Sequence, residues 1–263
     1  MRLFYWRGII VNLGILLLGV IGVIAVFSGQ IANGLSIRML LQPTAFIIVL
    51  GGTFCATILN FDKKTLMIAI KNAIDVFRKE KSNTNEIIKE IMQLSIYARK
   101  SGLLALGNVL NEVNDNFLAR GLQLVVDIGN PQLIYDILSS EISYEEEEEL
   151  ISSRVFEALG GYAPTFGLVG AVFGLINVLK DLTAIDTLGY GIATAFVSTL
   201  YGVGIANILF LPIAGNLKQR TREKILFKEL ILQGIVSICL QESPTILEEK
   251  LLAYTKSHDR GQF

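Results

Sequence analysis

Apolar positions fall in four long blocks, and most polar positions lie between the second and third of them. The first block runs from Ile9 to Phe27 without a charge and stops at Ser28–Gly29–Gln30. Its 19 residues suit a bilayer core, which takes about 20 helical residues. Arg2 and Arg7 would also fit the charged start of a signal peptide. The run is longer than the usual apolar segment of one, however, and a second run follows closely. That second block, Pro43 to Phe61, opens on a proline, which suits a first helical turn, and closes at Asp62–Lys63–Lys64. The third begins near Gly161 and ends at Lys180, and the fourth runs from about Leu188 to Leu217. None has Asp, Glu, Lys, Arg or His in its interior. A charge at a span centre costs about 2.5–3.5 kcal/mol on the insertion scale, so this absence predicts four transmembrane helices.

The polar insert between the second and third blocks reads as helical. Leu66, Ala69, Ile70, Ala73, Ile74 and Phe77 recur at helical spacing. Asn83 or Asn85 can cap a helix over Glu86–Lys100, which Gly102 would end. Further helices are predicted over Leu103–Asn114 and Phe117–Asp127, and Asn130–Pro131 starts one over Gln132–Ser140. Ser143–Tyr144–Glu145–Glu146 matches a capping box that would open the helix leading into the third span. Beyond the fourth span, Ile225, Leu226, Leu230, Ile231, Ile235, Ile238 and Cys239 form one stripe of a long helix. Ser243–Pro244 caps a last helix through Tyr254, and Lys256–Phe263 reads as disordered.

The predicted fold is therefore an all-α membrane protein. It has four transmembrane helices, a helical cytoplasmic insert between spans two and three, and a helical C-terminal tail. The boundaries fall at 1–62, 63–160, 161–217 and 218–263. Charge sets the orientation. Lys and Arg cluster before span one, after span two and after span four, whereas the loop between spans one and two holds only Arg38. The positive-inside rule places both termini and the insert in the cytoplasm.

Composition narrows the function. Hydrophobic residues make up 52% and charged residues 18% of the 263, with a mean hydropathy of +0.53. Lipid is thus expected as part of the solvent. The net charge of −1 gives no basic excess for nucleic acid. The single histidine, His258, argues against zinc and histidine chemistry, and no cofactor motif appears. Cys55 and Cys239 both sit in apolar stretches and read as buried thiols. The glutamate run Glu145–Glu149 reads first as a solvated helix start and second as a docking patch for a basic partner.

Candidate chemistry lies in the spans. Gly170 and Gly174 form a GxxxG pair that lets helix backbones approach closely. Pro164 and Pro212 stand at the predicted cytoplasmic mouths of spans three and four. Each removes a helical hydrogen bond, as a static kink or as a hinge. The polar groups there, among them Thr165, Asn177, Thr194, Ser198, Thr199 and Tyr201, carry no charge at neutral pH, and Ser198–Thr199 could face a water-filled gap. A chain that relays protons across a membrane needs a titratable group there. The pattern thus predicts either a scaffold or half of a two-component conductor whose partner brings the carboxylate.

Several stretches resemble the MotA/PomA family of flagellar motor stator subunits, which is related to ExbB and TolQ. They are Ala98–Leu106, Gly121–Asp127, Ala163–Gly170, Ser198–Gly202 and Phe210–Ala214. The resemblance implies a homopentamer around a MotB-like single-span subunit that carries a membrane aspartate. It also implies a bacterial inner-membrane location and torque on the rotor protein FliG. Pro164 and Pro212 match the family's coupling prolines, and Thr199 matches a threonine near the ion path. Ala171 stands where sodium-driven members carry a threonine, which implies proton coupling. Arg99 matches a rotor-facing arginine. The acid often found eight residues later is Gly107 here, leaving Lys100 and Glu112 as further rotor-facing candidates. An ExbB/TolQ-like energiser of envelope transport is the main alternative. A structural scaffold and a membrane enzyme are the others.

Overall fold

A computed structural model describes residues 40–75, 84–180 and 185–254, all helical or in short connections, with no strand among them. The first predicted span, residues 9–27, and the tail from Lys256 lie outside the described residues. Eight α-helices are described: α1 (Pro43–Asn60), α2 (Lys63–Asp75), α3 (Thr84–Ser101), α4 (Asn116–Asp127), α5 (Pro131–Lys180), α6 (Ile185–Ile205), α7 (Leu211–Cys239) and α8 (Pro244–Ala253). Among the described residues three stretches are long and apolar enough to cross a membrane: Pro43–Asn60, Pro131–Lys180 and Leu188–Cys239.

The described residues divide into two compact units. One comprises the described part of Met1–Cys55 together with Tyr162–Ile205. Here α5 and α6 run antiparallel, and small residues let their backbones meet. A Cβ added to Gly202 would stand 2.5 Å from the Ala163 carbonyl oxygen, and one added to Gly174 would stand 2.7 Å from the Ala195 nitrogen. On α1, Gly52 lies under the Phe166 ring. Leu168, Leu179 and Phe196 point outward.

The other unit comprises the described parts of Ala56–Gly161 and Ala206–Phe263. Its core is built from Ile88 and Ile91 of α3, Leu118 and Leu122 of α4, Leu138 of α5 and Ile231 and Ile235 of α7, with α8 adding Leu247 and Leu251. Burying each such side chain contributes about 1.5–3 kcal/mol, which is what fixes these short helices in place. Asp115 caps α4 by accepting the amides of Phe117 and Leu118, both at 2.9 Å. Asn130 does the same for α5 at Gln132 (3.0 Å) and Leu133 (3.2 Å). Ser243 caps α8 as the sequence predicts.

Four local expectations are corrected. Leu103–Asn114 is not an α-helix but two 3-10 turns, Leu103–Asn108 and Leu110–Glu112. Gly102 has a φ of 88° and ends α3. Gly107 and three asparagines then weaken α propensity, and only Leu106 is buried to hold the segment. The capping box at Ser143 does not start a helix, because α5 runs without interruption from Pro131 to Lys180. Ser139 and Ser140 donate back to the Asp136 carbonyl (3.2 and 2.7 Å) and so sit inside the helix. Asn85 lies within α3 rather than capping it. Leu226 is exposed while the rest of its stripe on α7 is buried.

The glutamate run consequently lies in the middle of α5, and much of it is used within the chain. Lys224 of α7 bridges Glu145 at 2.9 Å and Glu149 at 2.7 Å, and Lys228 also pairs with Glu145. The Lys228 ammonium sits 4.9 Å from the Phe117 ring centre. Arg154 pairs with Glu147 at 2.6 Å. Partial burial would raise the Glu145 carboxyl, but the hydrogen bonds and charges of Lys228 and Lys224 outweigh it and hold the group below its ordinary value.

Candidate ion-path and coupling site

Of the sequence-nominated residues, Pro164, Ala171 and Thr199 share the α5–α6 pair. Pro164 lies inside α5 and is half-buried. Its ring takes the place of an amide proton, so the Gly160 carbonyl loses its regular helical donor. Gly202 of α6 crosses directly over it, and a Cβ there would lie 3.1 Å from the Pro164 Cα. Ala171 is half-buried one residue beyond Gly170, where α5 meets Ser198.

Ser198 and Thr199 separate. Ser198 is fully buried, donates to the Thr194 carbonyl at 2.7 Å and presses on Gly170. It faces α5 rather than a water-filled gap, an arrangement that the sequence left open for both hydroxyls. Thr199 is exposed, and its hydroxyl donates to the Ala195 carbonyl at 3.4 Å. The helical turn of about 100° per residue places these neighbours on different sides of α6.

Pro212 stands in the other unit and in a different setting. The chain widens into a π-turn over Ala206–Phe210, and α7 begins at Leu211 with Pro212 in its first turn. The proline ring would crowd the Ile208 carbonyl in a regular helix, and the wider turn relieves that. Pro164 is thus held within an α-helix and Pro212 follows a π-turn, a distinction the sequence did not reveal.

The rotor-facing candidates lie in the second unit. Arg99 and Lys100 end α3 and are exposed, and the Arg99 guanidinium Nη1 donates to the Glu242 carbonyl at 3.2 Å. Glu112 ends the short 3-10 turn and is exposed.

No group of His, Cys, Asp and Glu able to hold a metal occurs among the described residues. Cys55 is exposed and Cys239 buried, both free. The expectation of two buried thiols therefore fails for Cys55, because an apolar stretch of sequence does not distinguish a lipid-facing side from a core-facing one.

The family model for the MotA/TolQ/ExbB proton channel family matches residues 109–229, and that for the motility protein A N-terminal region matches residues 17–102. Motility protein A of Bacillus subtilis is 33% identical over 94% of this chain and 92% of its own length. The chain belongs to the MotA/TolQ/ExbB proton channel family.

Chemotaxis protein PomA of Vibrio alginolyticus, 30% identical, covers 93% of the chain and 95% of its own length. The flagellar MotAB stator complex from Bacillus subtilis holds a chain that superposes with a TM-score of 0.81 at 33% identity, covering 94% of this chain and 98% of that one. The resemblance read from the sequence is thereby confirmed. Membership of the MotA/TolQ/ExbB family, with relatives named for motility, gives the chain the function of a stator subunit coupling ion flow to torque, not that of an enzyme.

Sequence reasoning missed one polar cluster at the start of α1. Gln42 is buried and accepts from the Thr194 hydroxyl at 2.5 Å. The Tyr201 hydroxyl donates to the Leu40 carbonyl and accepts the Gln42 amide at 3.4 Å, while its ring meets Phe46 edge-on at 6.1 Å. These side chains tie α1 to α6 beside a cavity of 510 Å³ lined by Leu41, Gln42, Pro43, Phe46, Tyr201 and Ile205. The available signal was Gln42, an uncharged polar residue immediately ahead of an apolar block.

Proposed function

We propose that this chain is the channel-forming half of a two-component, proton-driven stator. A MotB-like single-span subunit supplies the carboxylate. The observation that carries this reading is the α5–α6 pair. Its backbones are in contact, its hydroxyls are Thr165, Thr194, Ser198, Thr199 and the tyrosines, and no Asp, Glu, Lys, Arg or His occurs over 162–179 or 188–205. Protons crossing a membrane need a titratable group, so the acid must come from elsewhere. That the superposing chain belongs to a MotAB stator complex supports a MotB-type partner.

In this reading four transmembrane helices, within 1–62 and 161–217, sit in lipid of the bacterial inner membrane. The parts 63–160 and 218–263, and both termini, lie in the cytoplasm. Five copies surround the partner. Pro164, Ala171, Thr199 and Pro212 belong to the ion path and its coupling, and Arg99, Lys100 and Glu112 face the rotor protein FliG. Positive charge supports the orientation, because Lys63, Lys64 and Lys71 follow span two and Lys218, Arg220, Arg222 and Lys224 follow span four.

The test is deletion of the gene in its host in a strain with no other stator genes. Cells should build normal filaments that do not turn. A plasmid copy should restore swimming, whereas Pro164→Leu should reach the membrane at wild-type level and leave the filaments still. Swimming by the deletion strain would overturn the stator assignment and direct attention to envelope transport of the ExbB/TolQ kind. Swimming by Pro164→Leu would remove Pro164 from the coupling path.

A further inference from the structure

Arg99 reaches from the last turn of α3 to the corner between α7 and α8, where it donates to the Glu242 carbonyl at 3.2 Å. Helices α3 and α7 run in the same direction here. Ile91 packs on Gly234 and Arg99 meets Glu242, the same separation of 143 residues in both pairs. The corner therefore sits beside the end of α3 through packing as well as through one hydrogen bond.

That corner is a demanding piece of backbone. Gln241 has a φ of 53°, in the left-handed region that normally takes glycine. The Glu242 amide donates back to the Ser237 carbonyl at 3.1 Å and the Gln241 amide to the Ile238 carbonyl at 3.0 Å, closing the helix stop. With a side chain at the left-handed position, other contacts must hold the turn. The Glu242 carboxylate takes Lys250 Nζ of α8 on both oxygens at 2.7 Å. Leu247 and Leu251, both fully buried, anchor α8 on either side of Lys250. Burial would raise the Glu242 carboxyl, but Lys250 on both oxygens outweighs it and holds the group below its ordinary value.

We propose that Glu242 and Lys250 are positioning residues for the rotor contact. They fix the corner whose carbonyl holds Arg99, and so set the direction in which α3 presents Arg99 and Lys100 to an acidic protein surface. The inference rests on the rotor-facing reading of Arg99 given above. A guanidinium has five N–H donors. One spent on a fixed carbonyl leaves the others to meet a carboxylate side-on, and a side chain already held in place loses less freedom on docking.

The experiment is torque per stator unit, read from single-motor speed steps at high load, with the full chain and its partner in cells and the membrane level of the complex checked by blotting. Arg99→Ala, Lys250→Ala and Glu242→Gln should each lower torque per unit at an unchanged level of complex, and Lys250→Arg should restore it. In the Arg99→Ala background, Lys250→Ala should cause no further loss, because both act on one contact. Equal fractional losses from Lys250→Ala with and without Arg99 would overturn the proposal and leave a merely structural ion pair. So would full torque in Lys250→Ala while Arg99→Ala is weak. Full torque in Arg99→Ala would instead sink the rotor-facing reading, and this proposal with it. Should Lys250→Ala lower the level of complex, the exchanged pair E242K/K250E decides. Restored level with restored torque supports the proposal, and restored level with low torque refutes it.

Discussion

A methyl group at Gly202 would fall between the Ala163 carbonyl oxygen and the Cα atoms of Gly167 and Pro164, at 2.5 to 3.1 Å. All of these are backbone atoms, so no side-chain rotation relieves the clash and the two helices must separate. Gly202→Ala should therefore destabilise the purified complex by about 1–3 kcal/mol, the usual range for overpacking. Gly204→Ala, two residues on with nothing within 4 Å, should stay within about 0.5 kcal/mol of the parent. Thermal unfolding of both variants checks this, and equal melting temperatures would show that α5 and α6 are not in backbone contact there. At this scale the sequence was half legible. Gly170 and Gly174 announced close packing, yet the spacing alone could not say that Gly170 receives Ser198 or that Thr199 turns away. Periodicity reports which residues share a face, not which neighbour that face meets.

At the scale of elements, the apolar blocks that fall within the described residues were legible because lipid imposes a length and forbids charge. Helix α1 occupies Pro43–Asn60, against an expected Pro43–Phe61. The insert was harder to read. Its turn signal at Asn130–Pro131 holds, but Ser143 mimics a cap inside α5, where no chain reversal occurs. The decisive information is the register of α5 against α7, which puts Glu145 beside Lys224 and Lys228. This clip has a pH signature. Glu145 is held below its ordinary 4.5, so its contribution is present above that value and lost as pH falls through the folded-state pKa. Burial would lower Lys224, but Glu149 and Glu145 outweigh it and hold it above 10.5, so its share is present below that value and lost only as pH rises past its own folded-state pKa. Glu145→Gln should lower the stability of the complex by about 1 kcal/mol at neutral pH. The gap in melting temperature between variant and parent should then close as the solution is acidified through the folded-state pKa of Glu145. A gap independent of pH would mean that Glu145 contributes packing rather than charge.

At the scale of the molecule, the clearest feature is an omission that composition already displayed: apolar helices with hydroxyls and no carboxylate. The two prolines proposed for coupling differ in the fold, with Pro164 inside α5 and Pro212 after a π-turn. The proposal of proton coupling rests on a smaller difference. Ala171 is a half-buried methyl beside the Ser198–Gly170 contact. A sodium ion needs several oxygens to replace its hydration shell. Ser198 already donates to the Thr194 carbonyl and faces α5, which leaves Thr199 as the exposed hydroxyl in that turn. A proton needs no such cage, only a carboxylate within reach. Motor speed should therefore stay constant when sodium is exchanged for potassium at fixed ionic strength, and should collapse when a protonophore removes the pH gradient and the membrane potential. Ala171→Thr adds one hydroxyl where a cage needs several, so it should not make rotation depend on sodium. Speed that tracks sodium concentration in the parent strain would overturn proton coupling while leaving the need for a partner carboxylate intact, since either cation must meet a negative charge in the membrane.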